Sequence, residues 1–354
     1  MTELSWIGSL AGCLGNAAGP LYAWTSSKMD DRYIIAIGGL ITVLSKMLAS
    51  ITNEIWQLWI TQGILSGIGS SLVFYPCMNQ TMTWFETKRA WAIGICMSGI
   101  GFSSIAYSNI VTACFQTVGY RWALRILGFI ELVLCGIAAA LCTKLNPQSK
   151  SVPFLDFSVF KNKKYVILIT GHFVGAFVFF VPASFIGPYA ESIGIDPWSI
   201  ANITGIMAVF NSVGSITLNF VADYLGRFNM AIFSGMLCVV IQLSIWFTAT
   251  TAASFWAFAV IHGIGVGAFN SLIIAVIIDC VGIERSEVGS GWALFTWSFG
   301  GLLGQPLASM IVNQTDVPNY QTPIIFSAVL YFFVAFLMLV LRIMIGGWSI
   351  FKKV

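Results

Sequence analysis

TPIIFSAVLYFFVAFLMLVLRIMI, residues 322–345, decides the physical class of this chain. The run carries no charge from Thr322 to Leu341 and closes on Arg342. About 20 apolar residues in a helix cross the hydrocarbon core of a bilayer, so the stretch reads as a membrane-spanning helix. Working back from it, ten more apolar runs read the same way: 5–25, 33–51, 56–82, 90–115, 121–142, 165–186, 198–222, 229–249, 254–279 and 288–312. The whole chain agrees with that reading. Of its 354 residues, 58% are hydrophobic and only 9% charged, and its mean hydropathy is +0.87. A soluble chain would carry about 25% charged residues. The composition predicts an all-α polytopic membrane protein of eleven helices and leaves no room for a soluble catalytic domain. A membrane β-barrel is excluded, because its strands alternate in polarity and run only about ten residues.

Charge placement tests the count. Numbering the gaps alternately puts Lys28, Arg32, Lys88, Arg89, Lys144, Lys150, Lys161, Lys163, Lys164, Arg227, Arg285, Arg342, Lys352 and Lys353 on one side, which is 14 of the 17 basic residues. The other side has Arg121, with Arg125 just inside its helix; Lys46 is intramembrane. The positive-inside rule makes the rich side cytoplasmic. It predicts a cytoplasmic C-terminus and an N-terminus outside. Twelve of the 13 tryptophans fall near predicted helix ends, as an interfacial belt requires. Trp297 is the exception. A net charge of +3 is too small to suggest nucleic acid. The eight cysteines have no metal-ligand spacing, and most read as small membrane-buried hydrophobes. The start, Met-Thr-Glu, lacks the basic region of a cleavable signal peptide. Asn313-Gln314-Thr315 is a glycosylation sequon on the predicted outer side, close to the bilayer.

The longest gap, 143–164, holds Pro147, Pro153 and five lysines. It divides the chain into five spans and six. The halves match each other at offsets of 195–198: Gly67-Ile68-Gly69 with Gly265-Val266-Gly267, Gly94 with Gly291, and Arg32 with Arg227. Asp223-Tyr224-Leu225-Gly226-Arg227 follows the seventh span. This resembles the Asp-x-x-Gly-Arg loop of the major facilitator superfamily, whose solute site lies between parallel repeats at the bilayer midplane. In the first half Ser27 stands where the Asp would be, and Asp30 where the Gly would be. Trp84-Phe85-Glu86-Thr87-Lys88-Arg89-Ala90-Trp91-Ala92-Ile93-Gly94-Ile95-Cys96-Met97-Ser98-Gly99 resembles the signature entering the fifth helix of the monocarboxylate transporter family, with Ser103 at that family's last glycine. Gly119–Arg125 and Leu155–Lys161 are similar to its fungal branch, the riboflavin and monocarboxylate permease homologues.

The resemblance implies a bundle of family helices 2–6 over residues 1–142, a cytoplasmic linker over 143–164, and a bundle of helices 7–12 over 165–354. The family's first helix then has no counterpart. The acid and arginine of its proton-coupled animal members correspond to Asn211 and Ser215, which argues against lactate-type proton coupling. The resemblance also places Lys46 and Glu131 on peripheral spans, where Lys46 can snorkel toward the outer surface.

Polar groups inside a membrane are costly and are functional candidates by default. Asn211, His172, Trp297, Asn270, Gln305, Tyr75 and Asn79 lie on spans expected to line the cavity, and are the candidate substrate-binding residues. His172 offers a group that can couple protons near neutral pH. His262 reads as structural. Lys88, Arg89, Asp223, Gly226 and Arg227 form the candidate gating loops. No catalytic constellation or phosphate loop is present, so no enzyme activity, cofactor or metal is expected. The expected function is secondary active transport of a small organic solute, monocarboxylate-like or riboflavin-like, by alternating access, with proton symport open. The alternative is a non-transporting or truncated transporter-derived membrane protein. The expected setting is a lipid bilayer, as a monomer, in the plasma membrane or alternatively the vacuolar membrane.

Overall fold

Caps, prolines and glycines set the helix ends in a computed structural model that describes residues 2–143, 156–312 and 320–347, apart from some helical side chains. The first expected span is two helices, α1 (Thr2–Ala17) and α2 (Gly19–Ser26). The break at Ala18 precedes Gly19-Pro20, and proline offers no N–H to continue the ladder. Asp30 caps α3 (Asp31–Ala49) by accepting the Arg32 amide. Helix α4 (Ile55–Leu58) runs through a π-helical stretch, Trp59–Leu65, into α5 (Ser66–Trp84). Then come α6 (Arg89–Thr117), α7 (Gly119–Leu141) and α8 (Lys163–Ser192), the last capped by Asn162. Helix α9 (Pro197–Leu225) has proline at its first position and Asp196 as cap. Gly226, at φ +100°, turns the chain into α10 (Arg227–Ile241) and its π-helical end, Gln242–Trp246. That φ suits only glycine. Thr251 caps α11 (Ala252–Ala275), followed by α12 (Ile277–Val281), α13 (Ser286–Val312) and α14 (Gln321–Gly346).

Each of the eleven expected spans therefore has a helical counterpart, and no strand occurs among the described residues. Eight of these stretches are, among the described residues, long and apolar enough to cross a membrane. The sequon at 313–315 and linker residues 144–155 lie outside the described residues. Helix α3 shows why lipid must surround the bundle. Leu40, Leu44 and Leu48 are exposed at i, i+4 spacing, while Ile34, Ile35 and Val43 are buried. A stripe of exposed leucine that long is stable only against an apolar solvent.

The chain packs as two units. The first comprises residues 1–84, 106–161 and 281–298. In it α3 lies between α5 and α7. A Cβ on Gly38 would stand 2.8 Å from the Gly69 carbonyl, one on Gly69 would stand 2.9 Å from the Thr42 nitrogen, and one on Gly39 would stand 2.6 Å from the Cys135 Cβ. Small residues let these backbones touch, which is how helices associate without a hydrophobic drive. Lys46 does not snorkel. Its Nζ lies 2.5 Å from Glu131 Oε1 on α7, and Tyr107 donates to the same oxygen at 3.3 Å. Two lone charges in hydrocarbon are each expensive, and pairing across α3 and α7 removes most of that penalty.

The second unit comprises residues 85–105, 162–280 and 299–354. Helices α9 and α11 form its closest pair. Cβ atoms on Gly214, Gly263 and Gly267 would stand 2.1, 2.7 and 1.9 Å from the carbonyl oxygens of Ile264, Met207 and Asn211. One end is an aromatic core in which Trp246 stacks on Phe258 and Phe258 on His262. His262 is buried there against Gln242, with 3.1 Å between Nε2 atoms, the structural place expected for it.

Candidate functional site

The loop between α5 and α6 and the turn between α9 and α10 meet inside the second unit. Asp223, two residues before the end of α9, points its carboxylate at the start of α6. It accepts the Ala90 amide at 3.1 Å and the Trp91 amide at 2.9 Å. The first amides of a helix have no partner within the helix, and the N-terminal dipole favours an anion there. Arg227, held next to Gly226, places Nε 3.5 Å from Asp223 Oδ1. Its other nitrogens reach Asp279 at 3.0 Å and the Glu86 carbonyl at 2.7 Å. Arg89 also reaches Asp279, at 3.0 Å, and the Phe85 carbonyl at 3.2 Å. Lys88 is exposed and lies over the Trp91 ring.

The candidate gating residues thus come together as one network of two arginines and two aspartates. Asp279 is the member that the sequence did not mark. It stands on α12 at the end of the ninth span, and its signal was a carboxylate at a span end whose arginine partners, Arg89 and Arg227, lie on distant segments. Below the network α6 lies against α9 backbone to backbone. Ser215 Oγ donates to the Gly94 carbonyl at 2.9 Å and Ser212 Oγ to the Ser98 carbonyl at 2.8 Å. Cβ atoms on Gly94 and Gly101 would lie 1.9 Å from the Ser215 oxygen and 2.4 Å from the Ala208 oxygen. Ser212 and Asn219, which donates to Ser271 Oγ, were also not singled out, and Ser215 was named only at the place of the family's arginine.

The candidate solute residues are spread over both units. In the second, Asn211 on α9 is half-buried, and its backbone packs on Gly263 and Gly267 of α11. Its side chain makes no hydrogen bond among the described residues. His172 on α8 is buried and Asn270 on α11 half-buried. In the first, Trp297 on α13 is half-buried. Tyr75 on α5 is buried, stacks on Tyr22 and donates its hydroxyl to the Asn16 carbonyl, so its polar group is already used. Asn79, one turn on, is buried with Oδ1 unpartnered. The Gln305 side chain lies outside the described residues.

The sequence model of the "Major Facilitator Superfamily" matches residues 1–261 and 168–346. The chain belongs to that superfamily. It is a membrane transporter by family. "MFS-type transporter 1" of Ophiocordyceps sp. (strain BCC 1869) is 29% identical to it over 356 residues, spanning all of this chain and 79% of the relative. Human "Monocarboxylate transporter 2" is 28% identical over 358 residues, spanning 90% of this chain and 72% of the relative. Among solved structures, the transporter resembles FucP "in the outward conformation", with a TM-score of 0.78 over 94% of this chain and 89% of that one at 14% identity. It also resembles the human organic anion transporter MFSD10, with a TM-score of 0.77 over 94% and 82% at 10% identity.

The contacts of the transporter sharpen the register of its internal repeat. Gly67 meets α1 at Ala11, and Gly263 meets α9 at Met207. Gly69 meets α3 at Gly38 and Thr42, and Gly265 meets α10 at Ser234 and Cys238. The equivalent glycines are therefore 67 with 263 and 69 with 265, an offset of 196 rather than 198. The same offset carries Gly19 onto Ser215. Gly19 touches Gly291 as Ser215 touches Gly94.

Proposed function

We propose that this transporter moves a small organic solute, monocarboxylate-like or riboflavin-like, across its membrane by alternating access. Residues 1–142 and 165–354 would act as the two moving bundles, joined by a cytoplasmic linker over 143–164, with the C-terminus in the cytoplasm and the plasma membrane as its site. The observation that carries this reading is the junction of α6 with α9. It is held by a carboxylate on two helix-end amides and by arginine–aspartate contacts. Water can replace such polar contacts one at a time, so the junction can open and reclose at small net cost. An interdigitated apolar core could not do so.

Asn211 supports the solute assignment, because its amide has no hydrogen-bond partner among the described residues and so can serve a ligand. His172 and Asn270 share its unit and complete the polar set proposed there. His172 is the group proposed to couple protons. The test is uptake of labelled monocarboxylates and riboflavin by cells or vesicles carrying the full chain. Uptake is expected, and Asn211→Ala and His172→Ala should abolish it at unchanged membrane abundance. If both variants keep the parent rate, the residue assignment fails. If no solute in the panel moves, the solute class fails.

A further inference from the structure

The end of the linker is docked on α13, inside the first unit. Asp156 Oδ1 accepts the Ser158 amide at 2.7 Å and opens a 3₁₀ turn over Ser158–Lys161. The turn sets the Phe157 and Phe160 rings 6.2 Å apart. Trp292, in the second turn of α13, completes a triangle with them. Its ring lies 4.9 Å from Phe157 and 5.4 Å, edge-on, from Phe160. Its indole N–H donates to the Asp156 carbonyl at 2.8 Å, and Phe295 packs edge-on against it at 5.3 Å. Trp292 is buried, and so is Val159 beneath the turn. A buried indole N–H needs an acceptor, and here the acceptor is a backbone carbonyl of the linker.

The residue before Trp292 makes a different contact. A Cβ on Gly291 would stand 2.8 Å from the Gly19 carbonyl oxygen, and one on Gly19 2.1 Å from the Gly291 oxygen, so α2 and α13 touch backbone to backbone. Successive residues of a helix point about 100° apart. The linker end and α2 therefore grip neighbouring faces of the same turn of α13. A helical turn moves as one piece. Any shift that parts Gly291 from Gly19 carries Trp292 with it, and a hydrogen bond does not survive stretching beyond about 3.5 Å. The ring triangle and the Asp156 bond must then follow α13 or break.

We propose that residues 156–161 are a hook that couples the linker to the α2–α13 contact, docked when Gly291 lies on Gly19 and released when the two part. The linker is then a handle on that contact and not a passive tether. The coupling holds whichever solute the transporter moves.

The test reads hydrogen exchange in the full chain, purified in detergent, over two peptides: residues 156–161 and α2. It needs no transported solute, so its outcome is independent of the proposed function. Phe157→Ala removes one ring of the triangle at a residue that is 57% exposed, so the variant should fold. It should quicken exchange in 156–161 and, through the coupling, by about fivefold in α2. Gly291→Ala pushes α13 off Gly19 and should quicken 156–161 by a similar factor. Trp292→Phe keeps a ring and loses the N–H, and should quicken 156–161 several-fold. Phe129→Ala, at an exposed ring of α7, should change neither peptide. Unprotected exchange over 156–161 in the parent chain overturns the hook. A Phe157→Ala effect confined to 156–161, with α2 unchanged, overturns the coupling and leaves a local packing contact. So does an effect in one direction alone, because coupling between two equilibria is reciprocal. If Gly291→Ala does not fold, the response of α2 to Phe157→Ala decides alone.

Discussion

Gly94→Ala measures how tightly α6 and α9 are held together. The added Cβ would stand 1.9 Å from the Ser215 carbonyl oxygen, 2.7 Å from Asn219 Nδ2 and 2.9 Å from the Ser215 carbonyl carbon. An ordinary carbon-to-oxygen approach is about 3.3 Å, so the helices must separate by about 1.4 Å. Two of the three atoms are backbone and cannot rotate away. Overpacking of this kind costs about 1–3 kcal/mol. The separation also stretches the Ser215–Gly94 hydrogen bond, which contributes about 1 kcal/mol. The sum is roughly 2–4 kcal/mol. With an unfolding entropy of about 2 cal/mol/K per residue, a chain of this length should lose roughly 3–5 °C in Tm. Gly99 provides the internal control. It lies on the same helix, but a Cβ there meets nothing within 4 Å, and alanine is the better helix former by up to about 1 kcal/mol. Thermal unfolding of the purified chain should therefore show Gly94→Ala falling and Gly99→Ala level or slightly higher. Equal midpoints for the two variants would refute the close backbone contact.

Asp223→Asn removes the charge and turns an NH2 group toward one of the two α6 amides, so hydrogen exchange at Ala90 and Trp91 should quicken by at least about tenfold, the effect of losing about 1.5–3 kcal/mol of charged hydrogen bonding. Lys46→Met leaves Glu131 without its cation and should cost about 3–5 kcal/mol; the double variant with Glu131→Gln should recover most of the lost yield and Tm, and failure to do so would mean that the pair does not act as a unit. The Ser199 amide and hydroxyl hold the Asp196 carboxyl below the usual carboxylate range. Because its folded value is depressed, the benefit of Asp196 is present above the unfolded value of about 3.9 and is lost as pH falls through the folded value. The difference in Tm between the parent and Asp196→Asn should thus be constant above about pH 5 and shrink in more acid solution.

Helices were legible because the bilayer imposes a length on every span; their exact ends, set by the caps Asp30, Asn162, Asp196 and Thr251, came only with the structure. Partners were not. Lys46 and Glu131 sit on different spans, and nothing in either segment names the other; read alone, Lys46 has only the surface to reach for. Asp279 was hidden for the same reason. The functional use of a polar residue was also illegible where a helix face could turn either way. Tyr75 and Asn211 look equivalent in sequence, but the Tyr75 hydroxyl is engaged by the Asn16 carbonyl while the Asn211 side chain has no such partner. Glycine identity gave the repeat, and only the contacts gave its register, since glycines two residues apart meet different neighbours.

That register separates what the repeat had to keep from what it could change. Gly19 with Gly291 and Gly94 with Ser215 are the same backbone contact made twice. A Cβ on Gly291 would lie 2.8 Å from the Gly19 oxygen and one on Gly94 1.9 Å from the Ser215 oxygen, so both copies keep glycine on that side, while the facing place is glycine in one copy and serine in the other. Sterics leave no alternative at Gly94 and Gly291. The helix start above each contact is less constrained, because its bare amides accept any well-placed negative group. One copy uses Asp223 and balances it with Arg227, in a network whose two arginines and two aspartates cancel. The other has Ser27 at that place and gathers Asp31 and Glu287 around Ser26. The first junction carries its own counter-charges.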